Sequence, residues 1–230
     1  PGNLLGAKEV FRKYRGHLTG KKAIVDVAIL FPTTEHRLRY EDWPARTMAG
    51  ADALREMVDY DLVDERMISD GALKNYSMLI AYDGNIMQAA TLKALKKWLE
   101  GGGILLISDF GPIETVDGDE SFIQSASQEG RQGVGKGSVI IAPKNGKDFA
   151  ALAADLAHNL SKRFPGKPDV PLIDHAVDGI TATLFADRIL YLNPTDQPVE
   201  KQIELRSSDF PEDGRTGRPP SLTYKLLLKP

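Results

Sequence analysis

At 230 residues the chain is long enough for one large domain, or one domain with a small appendage, and for a sizeable buried core. Its 29 basic and 32 acidic residues leave a formal net charge of -3, which sets nucleic acid aside as a main partner, because phosphate binding calls for a basic excess on one face. No apolar run approaches the roughly 18 residues of a membrane span, so a soluble protein is expected, cytoplasmic or secreted according to what precedes Pro1. The absence of cysteine removes disulfides, thiolate metal sites and a cysteine nucleophile.

Leu4 to Tyr14 reads as a short lead-in helix with Leu5, Val10 and Phe11 on its apolar side. Ala23 to Phe31 is the first buried strand, stopped by Pro32, which cannot donate to a ladder. The polar stretch Thr33 to Trp43 then reads as a loop, and Pro44 opens a helix to about Tyr60 in which Ala51, Leu54 and Val58 repeat on one side. Leu62 to Ile68 is a second strand whose acidic interruptions suit a less buried position. Asp59, Asp61, Asp64 and Glu65 read there as solvated carboxylates that alternate faces.

Asn75 to Glu114 is a βαβ unit around which the rest is organised. Ser77 to Ala81 and Ile104 to Ser108 are short apolar runs suited to a parallel sheet, while Leu92, Leu95 and Leu99 share one helical face and Gly101 to Gly103 stop the helix. Thr115 to Lys136, rich in Gly, Ser, Gln and Asp, is expected to be a surface excursion. Gly137 to Ala142 resumes a strand. Lys147 to Phe164 is an amphipathic helix with Phe149, Leu152, Leu156 and Leu160 inward, and Pro165-Gly166-Lys167-Pro168 marks a boundary. Beyond it, Ile180 to Phe185, Arg188 to Asn193 and Val199 to Leu205 have the spacing of an antiparallel meander, and Leu222 to Leu228 follows a long loop. The fold class expected is α/β: a doubly wound, flavodoxin-like parallel sheet over residues 1–165 with a small C-terminal antiparallel β-domain over 170–230.

In such a sheet the loops at the carboxyl ends of the strands build any ligand crevice. That places Glu35 and His36, Asp83 and Asn85, and Asp109 around one edge as candidate ligand-binding residues, with Asp109 and His36 the candidates for any catalysis. The plainer reading of the same set is ion pairs packing loops through Arg37, Arg39 and Arg46. Gly130-x-x-x-x-Gly135-Lys136 has Gly137 where a phosphate loop needs Ser or Thr, and it precedes a strand, so a glycine-rich turn is the better reading. His17, His36, His158 and His175 show no zinc spacing, and Asp117 to Glu120 lacks the ligand spacing of a calcium loop. No metal or cofactor is expected.

Asp83-Gly84-Asn85 and Asp109-Phe110-Gly111 fall where the class I glutamine amidotransferase-like fold has a Pro-Gly-Gly-like turn and a Cys-x-Gly nucleophile elbow. The chain resembles that fold with Asp109 at the thiol position. The wording YSMLIAYDGNIM, then a helix, then WLEGGGILLISDFGPIE, resembles more specifically the β-galactosidase trimerisation domain of family 42 glycoside hydrolases; Gly133 to Ile140 and Ile189 to Thr195 follow in the order of that module and its following β-domain. The resemblance implies a non-catalytic structural module that forms a homo-oligomer, a trimer if the assembly is shared, beside an upstream catalytic domain of the same chain. Two other classes stay open on the residues alone. One is a hydrolase using Asp109, with His36 as its base. The other is a sugar- or small-ligand-binding module using Tyr40, Trp43, Tyr82 and Phe110.

Overall fold

The computed structural model describes residues 8–9, 12–13, 15–16, 19–39, 45–55, 57–108, 112–123, 130–142, 146–158, 181–185, 188–193, 198–206 and 221–228. Most of the lead-in helix expected at Leu4 to Tyr14, the boundary at Pro165 to Pro168, and Asp109, Phe110, Tyr40, Trp43, His17 and His175 lie outside these residues.

The main sheet has six strands in the order β2 (Asp61–Asp64), β1 (Val27–Phe31), β3 (Met78–Ala81), β5 (Ile104–Ser108), β9 (Gly137–Ala142) and β8 (Gly130–Val134). The first five are parallel, with Ile29 opposite Leu62, Ala28 opposite Leu79, Leu79 opposite Leu105 and Leu105 opposite Val139. Only β8 runs antiparallel, against β9.

Near-continuous apolar runs are needed here because helices cover both faces. Side chains alternate across the pleat. Ala28 and Leu30 of β1 pack with Leu79, Leu105 and Val139 against Leu92, Leu95 and Leu99 of α4 (Ala89–Glu100), and with Ile68 of α3 (Glu65–Ser69). Val27 and Ile29 turn the other way, with Met78, Ile80 and Leu106, toward Ala51 and Leu54 of α2 (Ala45–Arg55) and Phe149, Ala153 and Ala157 of α5 (Gly146–His158). The βαβ unit read from the sequence thus forms with its leucine face inward.

The glycine-rich stretch is a hairpin, β8 to β9, laid across the end of α4. Lys136 N donates to Glu100 O at 3.1 Å and Ser138 N to Gly103 O at 3.0 Å. A Cβ at Gly137 would stand 2.2 Å from Leu99 O and 2.3 Å from Gly103 O, so only glycine admits this approach. The excursion expected from Thr115 to Lys136 therefore contains structure: β8, and β7 (Ser121–Phe122), which pairs with β6 (Ile113–Thr115) in a small sheet completed by β4 (Ile86–Met87).

Two further expectations are corrected. The loop read at Thr33 to Trp43 begins with a helix, α1 (Thr33–Leu38). The strand read at Leu62 to Ile68 ends at Asp64, whose carboxylate accepts from Met67 N at 2.7 Å and caps α3. Strand β2 is at the edge of the sheet, as its acidic residues suggested.

Toward the C-terminus, β10 (Thr181–Phe185) pairs with β11 (Arg188–Leu192), and β12 (Val199–Arg206) with β13 (Ser221–Leu228), all antiparallel. Among the described residues these are two separate ribbons and not one meander. β10 docks on the α/β layer: Ala23 bridges to Phe185, Ile24 N donates to Leu184 O at 2.8 Å, and Arg55 Nη2 donates to Thr183 Oγ1 at 3.2 Å. No helix among the described residues is long and apolar enough to cross a membrane.

Candidate functional site

The chain leaves β1 at Phe31, and Pro32 turns it into α1, which lies over the carboxyl ends of β1 and β3. This brings Glu35 to the turn after β3. There Gly84 adopts φ +119°, a region that favours glycine, and a Cβ would meet Leu30 Cδ2 at 2.6 Å. In that conformation two successive amides aim at one acceptor: Gly84 N and Asn85 N donate to Glu35 Oε2 at 2.7 and 2.9 Å. Arg39 Nη1 pairs with Glu35 Oε1 at 3.0 Å, one helical turn on. With its amide nitrogen turned toward Glu35, Asn85 also donates to both carboxylate oxygens, at 3.0 and 2.9 Å. Consecutive backbone N–H groups of this kind form an anion-binding concavity. Here the chain's own carboxylate fills it.

Asp83 stands beside this group. Arg46 Nη1 pairs with its Oδ1 at 2.9 Å, Arg46 Nη2 donates to Ser108 Oγ at 3.2 Å, and Thr47 Oγ1 lies at 3.4 Å from Asp83 Oδ2. Burial pushes the Asp83 carboxyl above its ordinary range, Arg46 pulls it back, and the charge of Glu35 raises it again. His36 is buried with its ring edge-on to Phe31, centroids 5.2 Å apart. Glu35, His36, Arg39, Ala45, Arg46 and Asp83 line a pocket of about 240 Å³.

Four of the five residues placed at this edge from the sequence, Glu35, His36, Asp83 and Asn85, do come together; the fifth, Asp109, lies outside the described residues. The ion pairs of Arg39 and Arg46 are those of the plainer reading. Tyr82, named as an aromatic for sugar stacking, is corrected: it is buried against Phe149, ring centroids 4.8 Å apart, and its hydroxyl donates to Gly50 O at 2.8 Å. Packing has claimed that ring.

Glu65 is the residue that sequence reasoning missed. Read as a solvated strand carboxylate, it is 4% exposed, and it accepts from Thr34 N at 2.7 Å and Thr34 Oγ1 at 2.6 Å, with Gln88 N more distant at 3.5 Å. Its own carbonyl accepts from Ser69 Oγ at 2.9 Å and Thr91 Oγ1 at 3.3 Å. Its place directly after the cap Asp64 suits the start of a helix, but no local pattern marks it as buried. Among the described residues, no three histidines or carboxylates gather in a way that would hold a metal ion.

No protein-family model and no curated protein sequence matches the chain. Solved structures do. Gan42B, a GH42 beta-galactosidase from G. stearothermophilus, in the form of its E323A catalytic mutant, superposes with a TM-score of 0.60 at 11% identity, over 96% of this chain and 41% of its own. The chain has the fold of a part of GH42 beta-galactosidases. A beta-galactosidase from the Antarctic haloarchaeon Halorubrum lacusprofundi gives 0.58 at 15% identity over 95% and 40% of the two chains, and one from Marinomonas ef1 gives 0.54 at 12% over 85% and 38%. The chain thus spans about 40% of the length of the beta-galactosidase structures it matches. The GH42 likeness expected from YSMLIAYDGNIM and WLEGGGILLISDFGPIE is borne out at the level of fold.

Proposed function

We propose that the chain is a non-catalytic structural module of a larger glycoside hydrolase-like protein, corresponding to the trimerisation domain and following β-domain of GH42 enzymes. It associates with copies of itself, as a trimer, beside a catalytic domain of the same chain. Its sheet is doubly wound and flavodoxin-like, which the order β2-β1-β3-β5-β9 supports. We place the division between its two parts at residues 165–170.

One observation carries the non-catalytic reading: the two successive amides at the end of β3, a pair able to hold an anion, are closed by the chain's own Glu35. Glycoside hydrolysis also needs two carboxyl groups free to flank a sugar, about 5 to 9.5 Å apart, one of them protonated. Glu35 is engaged by two amides and Arg39, and Asp83 by Arg46. Neither is free to flank a bond.

Light scattering on the purified chain over a concentration series, together with assays of β-galactoside hydrolysis and of ammonia release from glutamine, tests both halves of the proposal. A trimer mass and buffer-level rates are expected. A strictly monomeric mass at high concentration would remove the assembly role, and turnover of either substrate would remove the non-catalytic one.

A further inference from the structure

The pocket lined by Glu35, His36, Arg39, Ala45, Arg46 and Asp83 lies where strand order reverses: β2 is on one side of β1, and β3, β5 and β9 are on the other. Open α/β sheets take their ligands in the crevice at the carboxyl end of that switch point. Its size, about 240 Å³, falls below the roughly 300 to 1,000 Å³ of ordinary small-molecule pockets, so an occupant must be small.

The charges decide what kind. Two carboxylates and two guanidinium groups cancel formally, but the carboxylates face inward and are already met. Glu35 takes the Gly84 and Asn85 amides as well as Arg39, and Asp83 takes Arg46. Among the described residues, Arg46 is engaged through Nη1 and Nη2, and Arg39 through Nη1. Each guanidinium carries five N–H donors, so among the described residues donors remain on both. Both side chains are 55% exposed, so those donors are open to an incoming molecule. What the pocket offers is positive charge and planar donor pairs, which suit the oxygens of a carboxylate or phosphate.

We infer that this pocket binds a small oxyanion, a carboxylate or phosphate group, held by Arg46 and Arg39. The inference goes beyond the structural role proposed above and does not depend on self-association. It makes Asp83 a competitor of the ligand, since both seek Arg46, and that gives two substitutions opposite expected effects.

The test is the thermal shift of the 230-residue chain titrated with inorganic phosphate, with glucuronate and with neutral glucose, with mass followed by light scattering in the same samples. A saturable rise in Tm with phosphate, glucuronate or both, and none with glucose, is expected; a response to one of the two oxyanions names the source. Arg46→Gln should weaken binding at least about ten-fold, as loss of a charge-assisted contact does, and Asp83→Asn should strengthen it. Arg46 is a half-exposed surface side chain, so its variant keeps the fold. No saturable shift with either oxyanion, an equal response to glucose, full affinity in Arg46→Gln, or weakened affinity in Asp83→Asn would each overturn the assignment. A change of mass with binding intact, or the reverse, separates this site from the assembly proposal.

Discussion

The carboxyl edge of the sheet carries two buried glutamates that look alike in sequence and end in different surroundings. The Glu65 carboxylate is met by neutral donors, Thr34 N and Oγ1, and its backbone carbonyl accepts from the Ser69 and Thr91 hydroxyls. Glu35, on the other side of α1, is held by the Gly84 and Asn85 amides and adjoins a pocket rimmed by two half-exposed arginines. The first arrangement pins α1 to α3. The second pins α1 to the turn after β3 and leaves positive charge facing solvent. A buried carboxylate is thus no sign of a site by itself; what separates the two regions is whether unfilled donors reach water nearby.

Removing each anchor tests that difference, and Glu35→Ala is expected to cost most. It strips the acceptor from the buried Gly84 amide and from Asn85 N, each costing about 1 to 3 kcal/mol when left without a partner, whereas the half-exposed Arg39 regains water. Urea unfolding should show the loss as a lower midpoint at unchanged slope.

For Glu65→Gln the expected loss is smaller, about 1 to 3 kcal/mol, because the amide keeps one acceptor oxygen for the two Thr34 donors and leaves the other poorly matched. The same unfolding experiment measures it. A loss equal to that of Glu35→Ala would erase the contrast between the two anchors.

Asp83→Asn should change stability at neutral pH by no more than about 1 kcal/mol, since its partner Arg46 is half-exposed and such pairs contribute little. Its pH dependence has a definite sign. Burial raises the Asp83 pKa in the native state, so the folded chain holds that proton more tightly than the unfolded one does. Stability from this group therefore grows as pH falls through the raised pKa. The parent should gain on the Asn variant as acid is added. A parent that loses ground on acidification would mean that the Arg46 pair, and not burial, dominates.

The smallest effect at neutral pH is expected at Tyr76, just before β3 at the opposite end of the strand. Its hydroxyl donates to Asp61 Oδ2 at 2.9 Å, and burial, then Asp61, push its pKa from 10.0 to about 12. The folded chain keeps the proton after an unfolded tyrosine has lost it, so this group's stabilisation is present below pH 10 and is lost as pH rises toward 12. Tyrosinate absorbance during alkaline titration reads the ionisation, and Tyr76→Phe should flatten that part of the stability profile.

Much of the frame was legible in the residues. The near-continuous apolar runs at β3 and β5, the leucine spacing of α4 and the glycines that end it state a buried parallel unit without outside help, since burial on both faces demands those side chains at those periods. Glu35, His36, Asp83 and Asn85 could be placed together because strand order alone brings the loops after β1 and β3 to one edge. Helices α1 and α3 could not be read the same way. Six and five residues long, they are too short to show a helical period, and isolated helices of that length do not hold in water.

What the tertiary structure alone decided is which polar groups became internal. Glu35 and Glu65 are as polar in sequence as Asp61 or Glu100, and nothing in their immediate neighbours hides them. They are buried because the turn after β3 and the start of α1 bring backbone amides and a threonine hydroxyl to them from about 30 to 50 residues away, and a carboxylate leaves water only where such donors replace its hydration. The sequence by itself determined the sheet, its covering helices and the edge where loops meet. Long-range hydrogen bonds, which no local pattern encodes, determined that one carboxylate closes the amide pair at that edge while two arginines beside it, each paired to a carboxylate, stay half-exposed.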